Sequence, residues 1–257
     1  MRPQERRERI LELLRDSESG RLTVEELAER LKISQETARR DLAHLASGGL
    51  ISKFHGGATL PQPSGEGPFR IRMAESLREK RAIARAAAAL FRPGDTLLID
   101  TGSTTIFFAE ELARLSGLTV ITNSLTIAQT MARGRNDHHT FLIGGEYSDE
   151  AMENLGALAV RQISQFHAVH AVITVGAVEV EGVMDYTLEE AEIARAMISQ
   201  VRQLTVIADS SKLDKAGLFR VCRLDAIDRL VTDARPRNPL SEALTAAGVE
   251  LIVANRT

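Results

Sequence analysis

The chain has 257 residues and a formal net charge of −3, which is room for a large domain with a small one attached and not the charge of a nonspecific polycation. Its one cysteine, Cys222, excludes an intramolecular disulfide, while the charged start MRPQERRERI and the lack of a long apolar run argue against a signal peptide and a membrane partner, so cytoplasm is expected. Aromatic residues make up only 4% of the chain, so Ala, Leu, Val and Ile must supply the core, as in a helix-rich α/β protein.

Residues 1–60 hold eleven Lys/Arg against ten Asp/Glu, a faintly positive head on an acidic body. Ile10, Leu13 and Leu14 mark a first amphipathic helix. Thr23 with Glu26 three residues on is a capping-box signature, and Val24, Leu27, Ala28 and Leu31 follow at helical spacing. Lys32-Ile33 makes a tight turn, and Ser34 is an N-cap for a third helix with Ala38, Leu42 and Leu45 inward. LISKFH then alternates and runs into Gly56-Gly57, as a small hairpin does. Three helices and a hairpin over residues 1–57 are the layout of a winged helix-turn-helix.

On the wheel of the third helix, Glu36, Arg40, Ala43 and His44 point away from the apolar stripe, with Thr37 and Arg39 on its flanks. That is what a recognition helix needs: an apolar back for the other two helices and a small or polar front for the major groove. Arginine can bind guanine O6 and N7 with two hydrogen bonds or hold a phosphate, and Gln35 and Thr37 near the helix start can reach base edges or backbone. Lys53 and His55 on the hairpin would touch neighbouring phosphates. The alternative is a small helical interaction module with a solvated charged face.

In GGATLPQPSGEGP, Gly56 to Pro68, eight of thirteen residues are Gly, Pro or Ser, so the stretch reads as a linker, taken as residues 58–72. Residues 73–257 then alternate strands and helices. SLREKRAIARAAAALF, Ser76 to Phe91, opens this domain as a long helix. Candidate strands are 96–100, 118–122, 140–144, 170–176, 204–209, 229–233 and 249–253. Each is a short apolar run without clean alternation, as expected for strands covered on both faces. Helical stretches lie between them, so the order implies a mainly parallel sheet wrapped by helices.

The chemistry concentrates at strand ends, where parallel α/β sheets bind ligands. DTGSTT, Asp100 to Thr105, follows a strand and opens a helix. Gly102 allows a sharp turn, and the amides of Ser103, Thr104 and Thr105 sit at the positive end of the helix dipole. No lysine follows at P-loop spacing, so a monophosphate fits better than a nucleotide triphosphate. Similar edges recur: Asn123-Ser124, Gly144-Gly145, TVGA at 174–177, and ADSSK with Asp209, Ser211 and Lys212. Lys212 is the natural counter-charge to a phosphate; the alternative is an exposed turn lysine, just as the Gly/Ser/Thr edges can be ordinary strand–helix junctions. His138-His139 reads as a solvated turn, and no metal or cofactor is expected. Asp100, Asp185 and Glu189 are the carboxylates an isomerase of sugar phosphates would need as a base, the rival reading of this domain.

RRERILELL, LTVEELAERLKISQETARRDLAHLASGGLISKFHGGA, and then DTGSTT, TNS, GGE, LEEAEIARAMI and ADSSK in that order resemble the DeoR family of bacterial transcriptional regulators, from about Gln4 to Asp233. The resemblance implies a winged helix-turn-helix on operator DNA, a sensor domain with a fold similar to ribose-5-phosphate isomerase, and no enzymatic activity. It implies DNA-facing roles for Gln35, Thr37, Arg39, Arg40, Lys53 and His55, and the N-cap Ser34 and the outward His44 are counted with them. For the effector, a phosphorylated sugar or sugar alcohol, it implies Asp100, Gly102, Ser103, Thr104, Thr105, Asn123, Ser124, Gly144, Gly145, Asp209 and Lys212, with Glu189 and Glu190 as weaker candidates. ISQFHAVHAV and the overall spacing are similar to the glycerol-3-phosphate repressor branch, which points to an effector such as glycerol 3-phosphate. Val169 departs from the family, which often carries an acid there. The expected assembly is a homodimer or tetramer placing two recognition helices on a repeated or palindromic operator.

Overall fold

A computed structural model describes residues 2–15, 17, 21–48, 50–54, 56–59, 67–134 and 136–255, and the chain divides into two compact units, Met1–Pro68 and Phe69–Thr257. In the first, α1 (Pro3–Arg15), β1 (Arg21–Thr23), α2 (Val24–Leu31) and α3 (Gln35–Ser47) precede β2 (Ser52–Phe54) and β3 (Gly57–Thr59). The strands form an antiparallel sheet in the order β1-β3-β2, so the expected hairpin gains a third strand from the segment between α1 and α2. The capping box at α2 is complete: Glu26 N–H donates to Thr23 Oγ1 at 3.2 Å, and Thr23 N–H donates to Glu26 Oε2 at 2.7 Å. Lys32 ends α2 in the left-handed region, at φ 53°, which reverses the chain into α3. Ile10, Leu14, Leu27, Leu31, Ala38, Leu42, Leu45 and Ile51 fill the core between the helices and the sheet. Each fully buried Leu or Ile contributes about 1.5–3 kcal/mol, the main force holding so small a unit together.

Of the stretch expected as linker, residues 60–66 lie outside the described residues, and both flanks are regular structure. β3 takes its first two residues, and α4 (Phe69–Ala74) begins before its end. The long helix expected from Ser76 is shorter: Ser76 sits at φ 51°, and α5 runs over Leu77–Ala88. Ser76 in that conformation breaks the helical path and turns α4 away from α5.

Then follow β4 (Thr96–Ile99), α6 (Ser103–Leu112), β5 (Thr119–Thr122), α7 (Leu125–Arg133) and β6 (His139–Leu142). The expected solvated turn is not a turn: half-buried His138 accepts at Nδ1 from Leu118 N–H, and His139, though exposed, starts β6. After β7 (Glu146–Ser148), β8 (Glu153–Leu155) and α8 (Gly156–Ile163) come β9 (His170–Ile173), β10 (Ala177–Glu179), β11 (Gly182–Asp185) and α9 (Leu188–Ile198). The chain closes with β12 (Gln203–Ile207), β13 (Phe219–Cys222), β14 (Arg229–Thr232), α10 (Leu240–Ala246) and β15 (Glu250–Val253).

All seven expected strands lie in one parallel sheet, ordered β15-β14-β12-β9-β4-β5-β6. Leu97, Ile99, Val120, Val172 and Ile207 face a core shared with α5, α6 and α7, whereas Leu98, Ile121, Ala171, Ile173 and Val206 face one shared with α8, α9 and α10. Successive side chains alternate between two buried faces, which is why the runs are continuously apolar. From β4 the chain steps outward through β5 to β6; from β9 it steps the other way through β12 and β14 to β15. The direction reverses between the neighbours β4 and β9, and in open α/β sheets the crevice outside the carboxyl ends of the strands at such a switch is where ligands bind.

The short antiparallel pieces were not expected. β7 pairs β8, and β11 pairs both β10 and β13. Pieces of three or four residues have little periodicity of their own, and β13 finds its partner through long-range packing.

Candidate functional site

Two surfaces carry the candidate residues, one in each unit. In the first, Ser34 Oγ caps α3 by accepting from Thr37 N–H at 3.2 Å, and the Thr37 hydroxyl lies 2.9 Å from Ser34 Oγ. Gln35, Glu36, Arg39, Arg40, Ala43 and His44 are exposed along the helix, opposite Ala38, Leu42 and Leu45. Arg39 Nη2 donates to Gln35 Oε1 at 3.4 Å, so that pair shares a face one turn apart. Arg39 and Lys53 line one recess of about 210 Å³ with Val24, Leu42, Gly56 and Gly57, which brings the helix and the wing to a common basic edge. His55 lies outside the described residues.

The sequence reading passed over Asp41. It is buried on the inner side of α3 and accepts from Arg6 Nε and Nη2 of α1, the second at 3.2 Å, which raises the Arg6 pKa. Of the acid and two bases in RRDL, the acid thus faces inward and ties α1 to α3, which leaves the arginines for the front.

In the second unit, the carboxyl ends of β12, β9, β4, β5 and β6 are consecutive neighbours, so the five edges singled out from the sequence line one rim. Asp100, just past β4, accepts from Thr174 N–H at 3.0 and 3.1 Å and so clamps the switch between β4 and β9. Gly102 has an extended backbone that any residue can adopt; what requires glycine is space, because a Cβ there would lie 1.9 Å from Thr174 Cγ2. Gly102 also leaves α6 without a side-chain cap, whereas Ser124 caps α7 through Ile127 N–H and Thr187 caps α9 through Glu190 N–H. The amides opening α6 are therefore not taken by a capping side chain. Ser103, Thr104 and Thr105 are buried there, and Thr105 Oγ1 donates to Gly102 O.

Next to this turn, Asn123 is fully buried, and its Nδ2 donates to Glu153 Oε2 at 3.1 Å and to Asn154 O at 3.2 Å. Its Oδ1 has no protein partner among the described residues. Glu153 arrives on β8 through a bridge to Ser124. On the other side, Asp209 caps the turn Ser210–Lys212 by accepting from Ser211 N–H at 3.0 Å, and Ser210 is held by Asp233. That turn presents Lys212, which is half-buried rather than an exposed turn lysine. Gly144 and Gly145 close the rim at β6 in a packing role: Gly144 N–H donates to Gln162 Oε1 at 3.0 Å, and a Cβ on Gly145 would lie 2.5 Å from Leu155 O.

The electrostatics divide the crevice. Burial raises the Asp100 carboxyl well above the usual range, with repulsion from Asp185, Glu153 and Glu190 adding to it against the Thr174 amide. Burial and then Glu190 push both Glu153 and Asp185 up to about 7. Burial lowers the pKa of Lys212 and of Lys80, with Asp209 opposing in both cases. One flank thus holds carboxyls ready to keep protons, and the other holds two lysines whose charge burial disfavours. Of the weaker pair, Glu190 acts on this field, while Glu189 is exposed.

Lys80, Arg72 and Glu153 join the site without having been expected there, and Asp185, expected only as the base of an isomerase, joins them. Lys80 had a signal: it shares the buried stripe of α5 with Ile83, Ala84 and Ala87, and a charge on an apolar stripe is costly unless it has work there. Asp41 carries the same mark in α3. Glu153 had none, since only the β7–β8 ribbon brings it to the rim. Val169 lies at the amino end of β9, where its N–H donates to Thr96 O, so the missing acid is not a loss to this rim.

Residues 6–64 match the family model of the DeoR-like helix-turn-helix domain, and residues 75–234 match that of the DeoR C terminal sensor domain. Among curated proteins, the chain is 34% identical to the transcriptional repressor AccR of Agrobacterium fabrum, with 98% of both chains covered. It is 31% identical to the glycerol-3-phosphate regulon repressor of Escherichia coli K12, over 98% of this chain and 99% of that one. Among solved structures it is similar to ribose 5-phosphate isomerase A of Methanocaldococcus jannaschii, at 18% identity and a TM-score of 0.37, with 52% of this chain and 53% of that one covered.

Proposed function

The chain belongs to the DeoR family of DNA-binding transcriptional regulators, and from that premise we propose that it represses a carbohydrate or polyol catabolic operon and leaves its operator when a phosphorylated sugar or sugar alcohol fills the strand-end crevice. The observation that carries the effector reading is the start of α6. It is a helix N-terminus without a side-chain cap, with Gly102 closed down on Thr174, on the same rim as the turn that carries Lys212, whose charge Lys80 feels. A phosphate there is held by amides, a helix dipole and two ammonium groups at once. The sugar end then meets Asp100, Glu153 and Asp185, together with the vacant acceptor on Asn123, an acceptor-rich wall suited to hydroxyl donors. A three-carbon polyol phosphate such as glycerol 3-phosphate is the first candidate, supported by the likeness to the glycerol-3-phosphate regulon repressor of Escherichia coli. This reading places the protein in the cytoplasm as a homodimer or tetramer, with Gln35, Thr37, Arg39, Arg40, His44 and Lys53 turned to operator DNA and no turnover of the bound sugar.

The test is a band-shift titration on the protein's own upstream DNA at moderate salt. Specific retention is expected, with release by glycerol 3-phosphate or another three- to six-carbon sugar phosphate. Retention no better than on random duplex ends the DNA reading; specific retention that no such phosphate relieves ends the effector reading. Conversion of an added aldose phosphate to its ketose isomer would reinstate the enzyme.

Effector affinity is expected to fall as pH rises through about 7, because Glu153 and Asp185 are largely protonated below that value and add two negative charges beside a phosphate above it. Both pKa values are raised in the folded protein, so the same groups contribute stability at low pH that is lost as pH climbs from their unfolded values to about 7. Isothermal titration at pH 6 and pH 8 reads the affinity. Equal affinity at both, after allowance for the ionisation of the phosphate itself, contradicts the acid wall.

A further inference from the structure

α4 heads the second unit, and the chain leads from its N-terminal end to the DNA-binding unit. Three ties hold it. Phe69 is buried in the core that includes residues of α5 and α6, Phe69 N–H donates to Glu150 Oε1 at 3.3 Å, and the Arg72 carbonyl accepts from Lys80 Nζ. The last tie joins α4 to the crevice, because Lys80 also feels Asp209 and Lys212. The Arg72 guanidinium lies 5.2 Å from the centre of the Phe69 ring, and its charge reaches both flanks. It favours the ionised forms of Glu153 and Asp185 and opposes the charges on Lys80 and Lys212.

A phosphate dianion changes both of these balances. A backbone carbonyl is a neutral acceptor, and a phosphate oxygen bonds an ammonium roughly twice as strongly. The Lys80 ammonium has three donors, so what a phosphate beside Lys212 changes is its position: the anion draws the ammonium toward itself and away from the Arg72 carbonyl. It also adds negative charge opposite Glu153 and Asp185, the two groups that otherwise attract the guanidinium. Both pulls act on one residue, in the element nearest along the chain to the DNA-binding unit.

We propose that α4 is the output element of the sensor and Arg72 its positioning residue: a phosphomonoester entering beside Lys212 takes Lys80 from the Arg72 carbonyl and draws the guanidinium toward itself, and α4 moves with them. This rests on the effector reading above and adds how occupancy of the crevice is passed on. An effector can shift operator affinity only through a difference between the two states, and α4 carries a charge felt by the carboxyls of the rim and a hydrogen bond to a lysine of the rim.

The experiment uses the full chain and its own operator, with glycerol 3-phosphate and ribose 5-phosphate as probes and inorganic phosphate as the minimal anion. Probe affinity is measured on free and on operator-bound protein, and the ratio is the coupling factor. For the wild type, a factor of about ten or more is expected. Arg72→Met should keep probe affinity for the free protein within about fivefold, because Lys80, Lys212 and the α6 amides remain, while the coupling factor drops to near one. Arg72→Lys, which returns the charge, should recover part of the coupling. Unchanged coupling in Arg72→Met overturns the proposal. So does a loss of affinity with the coupling ratio preserved, which makes Arg72 an ordinary contact, and so does a lowered melting temperature in both Arg72→Met and Arg72→Gln, which makes α4 a structural brace. A wild type that binds operator yet responds to neither probe points elsewhere: the effector reading is then at fault.

Discussion

Lys212→Met is expected to remove the response of operator binding to whichever sugar phosphate releases the wild type, with operator affinity itself unchanged. The turn that carries Lys212 is fixed independently of any ligand: Asp209 accepts from Ser211 N–H, and Asp233 accepts from Ser210 N–H at 2.6 Å and from its hydroxyl at 3.0 Å. The backbone of the turn is thus set before binding, and burial, opposed by Asp209, disfavours the charge on Lys212, so an anion beside the ammonium is favoured. Losing one charge-assisted hydrogen bond costs about 1.5–3 kcal/mol, or roughly ten- to a hundredfold in effector affinity. Methionine keeps the stem's packing and removes only the charge. Calorimetry on the variant reads the affinity, and anisotropy on labelled operator confirms that the first unit is untouched. A variant released at wild-type concentrations of effector rules Lys212 out as the phosphate's counter-charge.

Much of this was legible in the sequence, and the parts that were not share a cause. The seven strands were readable because strands buried on both faces must be apolar throughout, and Leu97, Leu98 and Ile99 show both cores being filled from one run. The recognition helix was readable because Ser34, Ala38, Leu42 and Leu45 are local signals, set within one helix. The rim of hydroxyls and amides was readable because each piece sits where a strand hands over to a helix. What sequence order hides is the company those pieces keep. Glu153 reaches the rim only because a two-stranded ribbon folds across the end of β5, and Asp185 only because β11 lies beside Gly176, where a Cβ would meet the Tyr186 ring at 2.7 Å. Gly144 looked like an amide donor and proves to be spent on Gln162. Lys80 and Asp41 fall between the two cases: each was visible as a charge on an apolar stripe, and each turns out to be paired there.

Arg40→Ala is expected to weaken operator binding by about 1–3 kcal/mol, roughly five- to 150-fold, without loss of fold. Arg40 is exposed on α3, so alanine, the best helix former, leaves the core untouched, and the melting temperature should stay within the range of a neutral surface change. Arg39 is placed differently: its bond to Gln35 and its seat in the recess with Lys53 hold it toward the wing, the side from which a duplex backbone is gripped. The two arginines should therefore separate in salt dependence. Binding measured over a range of ionic strengths should show Arg39→Ala lowering the slope of log affinity against log salt by about one, as loss of a phosphate contact does. Arg40→Ala should leave that slope nearly unchanged and relax the preference for operator over mutated half-sites. If the two variants behave alike in both measurements, the front of α3 does not divide reading from gripping in this way. If neither weakens binding, the DNA-facing surface of this unit is not the one α3 presents.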